Sequence, residues 1–230
     1  MHVPDGFLDG PTSVATGVIA VAGVGAALWR TRGRLDEPTA PLAGLVAAFV
    51  FAAQMINFPV AGGTSGHLLG GALAAVLVGP WMATLCLAAV LVVQTLLFAD
   101  GGVSAMGTNV TLFAVVGVWV GWGVFVACRS VLPRRASSVS VSAAVAAFVS
   151  VPATAAVFAL LFQVGGAAPV PLDTLMAAML SWHALIGIGE AVITFLVVSA
   201  VMATRPDLVH GAEGRRPEAA PRRAATEATR

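Results

Sequence analysis

Charge is the scarcest property of this chain. Only 10% of its 230 residues are charged, lysine is absent, and all 12 basic residues are arginines. With a net charge of +1 there is no electrostatic case for binding nucleic acid. The two cysteines, Cys86 and Cys128, lie within apolar runs at no spacing that suits a disulfide or a zinc site, and they read as small packing residues. No glycine-rich phosphate loop ending in Gly-Lys-Ser/Thr is present, so the chain is not its own ATP-driven motor. No His-Glu-x-x-His pair is present either, which removes the usual basis for an intramembrane metalloenzyme. No cleavable leader is expected either. The apolar stretch after Pro11 has no basic region before it, is too long for a signal core and ends in arginines. The N-terminus is therefore expected to be mature as written, with the bulky His2 disfavouring removal of Met1.

What the chain does have is apolar length. It is 58% hydrophobic with a mean hydropathy of +0.93, which is the composition of a polytopic membrane protein. Apolar runs fall at about 12–29, 41–57, 68–79, 81–98, 108–128, 139–163 and 172–203. A full crossing needs ~20 residues, so the third run is short and is expected to stop at the Gly79-Pro80 break, while the last is long enough to tilt. The expected fold is an all-α bundle of about seven transmembrane segments. Residues 1–11 form an N-terminal arm, 12–203 the membrane domain and 204–230 a disordered tail rich in Ala, Arg, Glu and Pro. His210, in that tail, reads as a bystander.

Seven crossings place the two chain ends on opposite sides. Arginines follow the first span (Arg30, Arg32, Arg34), follow the fifth (Arg129, Arg134, Arg135) and fill the tail, so all three clusters share one face. The positive-inside rule makes that face cytoplasmic and sets the N-terminus outside, in a bacterial or archaeal plasma membrane. The opposite face holds residues 1–11, 58–67, 99–107 and 164–171, with Asp5, Asp9 and Asp100 and no arginine. His2 and His67 both fall there, on an assignment that rests on the arginines alone.

That coincidence matters chemically. The free amine of Met1, the amide nitrogen of His2 and the His2 imidazole can close two small chelate rings on one cation. The imidazole of His67 would complete four nitrogen donors, a planar set suited to Ni(II) or Cu(II) and less strongly to Co(II). Thr64 and Ser65 are good N-caps for a helix starting near Gly66, which would put His67 in its first turn, where the helix dipole favours a neutral ring. Pro4 and Gly6 should fix the arm as a bend, and Gly62, Gly63 and Gly66 should let it approach closely. Further polar residues at membrane depth are costly and call for a reason. Asn57, Ser65, Gln94 and Asn109, with Gln54 and Thr108, read as a polar lining that orients the imidazoles or as interhelical hydrogen bonds. Glu190, the one carboxylate well inside a span, has His183 seven positions before it on nearly the same helix face. The pair reads either as a second metal or proton station or as hydrogen bonding that holds the bundle. Small residues at Ala22/Ala26 and Gly23/Ala27 form close-approach faces on the first span, for a partner or for internal packing.

Four segments then carry a resemblance: Met1-His2-Val3-Pro4-Asp5-Gly6-Phe7-Leu8, Gly63-Thr64-Ser65-Gly66-His67-Leu68-Leu69-Gly70-Gly71, Gln94-Thr95-Leu96-Leu97-Phe98-Ala99-Asp100-Gly101-Gly102 and Gly189-Glu190-Ala191-Val192-Ile193-Thr194. Together they resemble the cobalt/nickel substrate-capture subunit of energy-coupling-factor ABC transporters, the CbiM/NikM family, over about residues 1–203. The resemblance implies a seven-helix membrane protein that binds one Co(II) or Ni(II) ion as cargo through Met1, His2 and His67, without a prosthetic group. It also implies a transmembrane coupling subunit, two cytoplasmic ATP-binding subunits and a small additional membrane subunit, here expected as a separate chain. Cobalt uptake would supply cobalamin synthesis. The rival is a proton-coupled secondary metal transporter working through Glu190.

Overall fold

In the computed structural model, which describes residues 2–33, 39–56, 58–60, 64–133 and 135–212, the apolar runs become seven helices. These are α1 (Gly10–Thr31), α2 (Thr39–Gln54), α3 (Gly71–Val78), α4 (Pro80–Phe98), α5 (Met106–Val131), α6 (Ala136–Gly165) and α7 (Leu172–Thr204). Among the described residues, α1, α4, α5, α6 and α7 are long and apolar enough to cross a membrane, while α2, at 16 residues, is shorter. The chain is thus a multi-pass, helical membrane protein. Among the described residues, two three-residue strands, β1 (Phe58–Val60) and β2 (Thr64–Gly66), form an antiparallel hairpin that pairs Phe58 with Gly66.

α1 shows how such a chain packs when its surroundings are as apolar as its side chains. Asp9 caps the helix by accepting from the Thr12 amide at 2.9 Å, with Pro11 in the first turn. Its buried stripe is Thr12, Thr16, Ala20, Ala27 and Thr31, while Val14, Val18, Val21 and Trp29 face outward. Small and hydroxyl-bearing residues therefore make the helix contacts. Thr16 Oγ1 lies 2.7 Å from Thr108 Oγ1, and Thr111 Oγ1 donates to the Thr16 carbonyl at 2.7 Å, stitching α1 to α5. The small-residue faces separate: Gly23 lies against Val115 and Ala27 is buried, whereas Ala22 and Ala26 are exposed.

α3 is the centre of the bundle. Gly71 through Leu77 are all buried, and a Cβ on Gly71 would meet the backbone of Gly117 at 2.9 Å. The helix has only eight residues and stops at Gly79 (φ +82), where Pro80 opens α4, so the short third run and its break are as the sequence implied. Its start is not. Residues 64–66 are strand, 67–70 are irregular, and the cap is Gly70 (φ +77). His67 therefore precedes the helix instead of occupying its first turn. Thr64 and Ser65 are held in the hairpin by its pairing with β1, which removes them as helix caps.

The two ends of the bundle differ. One gathers the N-terminal arm, the 99–105 loop and the α6–α7 turn, where Leu8 bridges to Gly166. The other gathers Arg30, whose guanidinium lies 5.6 Å from the Trp81 ring, together with Gly79 and the segment after α7. The tail expected from 204 begins with a docked stretch. Pro206–Leu208 and His210–Ala212 form two 3-10 turns, Val209 is buried, and the His210 ring lies 5.5 Å from that of Trp122, so His210 is a packing residue.

Candidate metal centre

The N-terminal arm is threaded into the protein and held by backbone as much as by side chains. Val3 is 1% exposed. Its amide donates to Asn109 Oδ1 at 2.8 Å, and its carbonyl accepts from Asn109 Nδ2 at 3.1 Å and from the Gly102 amide at 2.9 Å. One asparagine thus does for this peptide what a neighbouring strand would do. Asp5 Oδ1 accepts from the Ser104 amide (2.7 Å) and hydroxyl (2.6 Å), and these bonds hold its carboxyl below the ordinary carboxylate range. Gly6, with φ +73, makes the bend expected there. Beyond it, the Asp9 amide donates to the Gly165 carbonyl at 2.6 Å and the Ala167 amide to the Phe7 carbonyl at 3.1 Å, so the arm is bound at both ends.

This anchoring buries His2 beside His67. Their ring centroids are 4.5 Å apart at 22°, and Phe113 closes a stack of three rings, 5.1 Å from His2 and 5.5 Å from His67. Phe113 sits in a π-helical stretch of α5, Thr111–Gly117, just past Asn109. A Cβ on Gly102 would strike Asp5 and one on Gly101 would meet Asn109 Nδ2 at 3.0 Å, so the Gly-Gly pair admits the arm.

The nitrogens of this pair are placed for an electron-pair acceptor. His67 Nδ1 lies 2.8 Å from the Leu68 carbonyl and donates to it, leaving Nε2 a bare lone pair that is buried and has no hydrogen-bond partner. Burial above all holds the His67 ring well below its ordinary pKa, so it is neutral. Neutrality therefore comes from desolvation and not from a helix dipole. His2 Nδ1 lies 3.1 Å from Asp100 Oδ1, an ion-pair distance without hydrogen-bond geometry, and neither ring nitrogen of His2 has a hydrogen-bond partner. A soft or borderline divalent cation suits such nitrogens. Among the described residues no three His, Cys, Asp or Glu side chains gather at one point.

The remaining site residues divide cleanly. Met1 and Asn57 lie outside the described residues, as do Gly62 and Gly63; Ser65 is described only in its backbone, in β2. Asn109 is the clamp on Val3. Glu190 is fully engaged in structure: its Oε2 accepts from the Leu69 amide at 2.8 Å and its Oε1 from the Gly70 amide at 2.9 Å. Gln54 Nε2 donates to the Leu69 carbonyl at 2.7 Å. Between them, α2 and α7 grip the loop that carries His67, and Glu190 provides the amide acceptors that the start of α3 lacks. Both oxygens thus serve a bundle-holding role. His183 donates from Nδ1 to the Met179 carbonyl at 2.7 Å, leaving its buried Nε2 unpartnered. Gln94 is buried on α4 with its amide unpartnered, while its own carbonyl ends the helix by accepting from the amides of Ala99 and Asp100. Sequence reasoning missed Phe113, because an aromatic in an apolar helix carries no local mark of contact with a histidine.

Comparison with known proteins agrees with this geometry along almost the whole chain. Residues 2–208 match the family model described as CbiM, cobalt uptake substrate-specific transmembrane region. The fused nickel transport protein NikMN of Rhodobacter capsulatus is 33% identical over 240 residues, covering 97% of this chain and 67% of that protein. The cobalt transport protein CbiM of Sorangium cellulosum is 31% identical over 216 residues, covering 91% and 94%. A crystal structure of a transition metal transporter superposes with a TM-score of 0.82 at 31% identity, covering 88% of this chain and 93% of that one. With its arm, His67 loop and helix bundle all inside the matched region, this chain belongs to the CbiM family of cobalt/nickel transport membrane proteins.

Proposed function

We propose that this chain is the substrate-capture subunit of an energy-coupling-factor transporter, taking Co(II) or Ni(II) into a bacterial or archaeal cell. The observation that carries this reading is the burial of His2 against His67, 4.5 Å between ring centroids, by an arm whose backbone is clamped at Val3. The Met1 amine, the His2 amide and imidazole nitrogens and His67 Nε2 supply four nitrogens to one ion. Each water the ion sheds is replaced by a nitrogen donor. Hard ions such as Mg(II) and Ca(II), which prefer oxygen, gain less from the exchange.

The N-terminus faces outside and the arginine-bearing helix ends face the cytoplasm. There a transmembrane coupling subunit and two ATP-binding subunits drive release inward, with a small additional membrane subunit completing the complex. Cobalt taken up this way supplies cobalamin synthesis. The donor set favours Ni(II) when the His2 amide is deprotonated.

The test is metal titration of the purified chain in detergent, using Ni(II), Co(II), Cu(II) and Zn(II), with and without Gly-Ser-Gly placed ahead of Met1. The insertion keeps every side chain and moves the terminal amine out of chelating reach. Tight Ni(II) or Co(II) binding by the unaltered chain should fall by about 100-fold or more, since a multidentate chelate is lost. Equal affinity in both forms would rule out the N-terminal chelate.

A further inference from the structure

The molecule holds a second histidine built like His67. His67 and His183 are each 1% exposed, and each spends its Nδ1 proton on a backbone carbonyl, Leu68 at 2.8 Å and Met179 at 2.7 Å. That bond sets the tautomer, so each ring presents an unprotonated Nε2, and neither Nε2 has a partner. Metal-ligating imidazoles are oriented in this way. Leaving a lone pair buried and unpaired is costly, which a purely structural histidine would avoid.

Glu190 sets the register between the two rings. It grips the amides of Leu69 and Gly70, fixing the 67–70 segment alongside α7. Going back from Glu190 to His183 covers about 10 Å of helix, at ~1.5 Å per residue, and two near-whole turns, so the same face is presented. Going back from Gly70 to His67 covers at most ~10 Å of chain, running toward the same end of the bundle. His183 thereby lies on the same side of Glu190 as His67, toward the arm end of the bundle. The His183 side of α7 is lined below by Glu190 and Thr194, both buried.

We infer that His183 Nε2 is a further cation ligand, which together with His67 Nε2 takes the ion as it leaves the N-terminal chelate. This rests on the reading of the chain as a metal-capture subunit and adds a step to it. Two neutral imidazoles with water completing the shell bind Co(II) and Ni(II) more weakly than four nitrogens do. Such weakness suits a position the ion must also leave. His67, common to both sites, lets the ion exchange the arm for His183 without becoming free in a buried space.

The experiment removes the first site and looks for the second. Co(II) and Ni(II) are titrated into the full chain carrying Gly-Ser-Gly ahead of Met1 and His2→Ala, which removes both the terminal amine and the His2 ring beside His67, and the same form loaded with Cu(II) is read by electron paramagnetic resonance. Weaker residual binding is expected, with nitrogen couplings from two imidazoles, and His183→Gln in this background should weaken it by about 10-fold or more. Circular dichroism and melting of the His183→Gln chain control for folding, and the resonance spectrum needs no substitution at 183. No residual binding, one nitrogen coupling, or residual binding unchanged by His183→Gln would each overturn the inference while leaving the N-terminal chelate intact. Absence of tight binding in the unaltered chain would instead overturn the capture reading and the inference with it.

Discussion

At the scale of single residues, the centre depends on groups that are not ligands. Asn109 satisfies both polar groups of the Val3 peptide, but the Val3 carbonyl also has the Gly102 amide. Asn109→Ala therefore strands one buried donor, the Val3 N–H. It should cost about 1–3 kcal/mol in unfolding experiments in detergent and speed exchange of the Val3 amide. Metal affinity should fall about 10- to 100-fold, as when other orienting partners of metal ligands are removed. Asp5 acts on the same arm through charge. Its folded pKa is depressed by Ser104, so its contribution to docking is complete above the ordinary carboxylate range and is lost as pH falls through the lowered folded value. Protease cleavage within residues 2–9 should stay slow at neutral pH and rise only in that acid window, whereas Asp5→Asn should raise it at neutral pH and flatten the profile.

At the scale of elements, helix approach is decided by where a methyl group fits. A Cβ on Gly107 would lie 2.5 Å from the Gly17 Cα, so Gly107→Ala must push α1 from α5, whereas a Cβ on Gly17 meets nothing within 4 Å. Gly107→Ala should lower stability by about 1–3 kcal/mol, the usual cost of overpacking, and Gly17→Ala should leave the melting temperature unchanged. Equal effects would refute this crossing geometry. The sequence makes both glycines look alike, and only the facing backbone distinguishes them. The His67 loop teaches the same lesson. Thr64 and Ser65 carry real capping propensity, yet strand pairing claims them, and Glu190 from α7, 120 residues away in sequence, takes over the amides at the start of α3. Capping rules are local, and that partner is not.

At the scale of the whole molecule, the orientation is open to a direct experiment. In a chain with Cys86 and Cys128 replaced by Ala, a cysteine at Val103 should react with a membrane-impermeant thiol reagent in intact cells, and one at Gly33 only in inverted vesicles. The reverse pattern would place the metal centre on the cytoplasmic side.

The sequence by itself determined the class, because long apolar runs with few charges admit little other than helices in a bilayer, where each backbone polar group is satisfied within its own segment. It also marked His2 and His67 as one site, since alternation of crossings assigns loops to faces without knowledge of packing. Only the tertiary structure decided what Asn109 and Glu190 do, that Phe113 closes the ring stack, and that residues 206–212 dock instead of joining a tail. Each of these is a contact between segments distant in the chain. In a protein whose helices are apolar all round, periodicity carries no record of which face meets which neighbour.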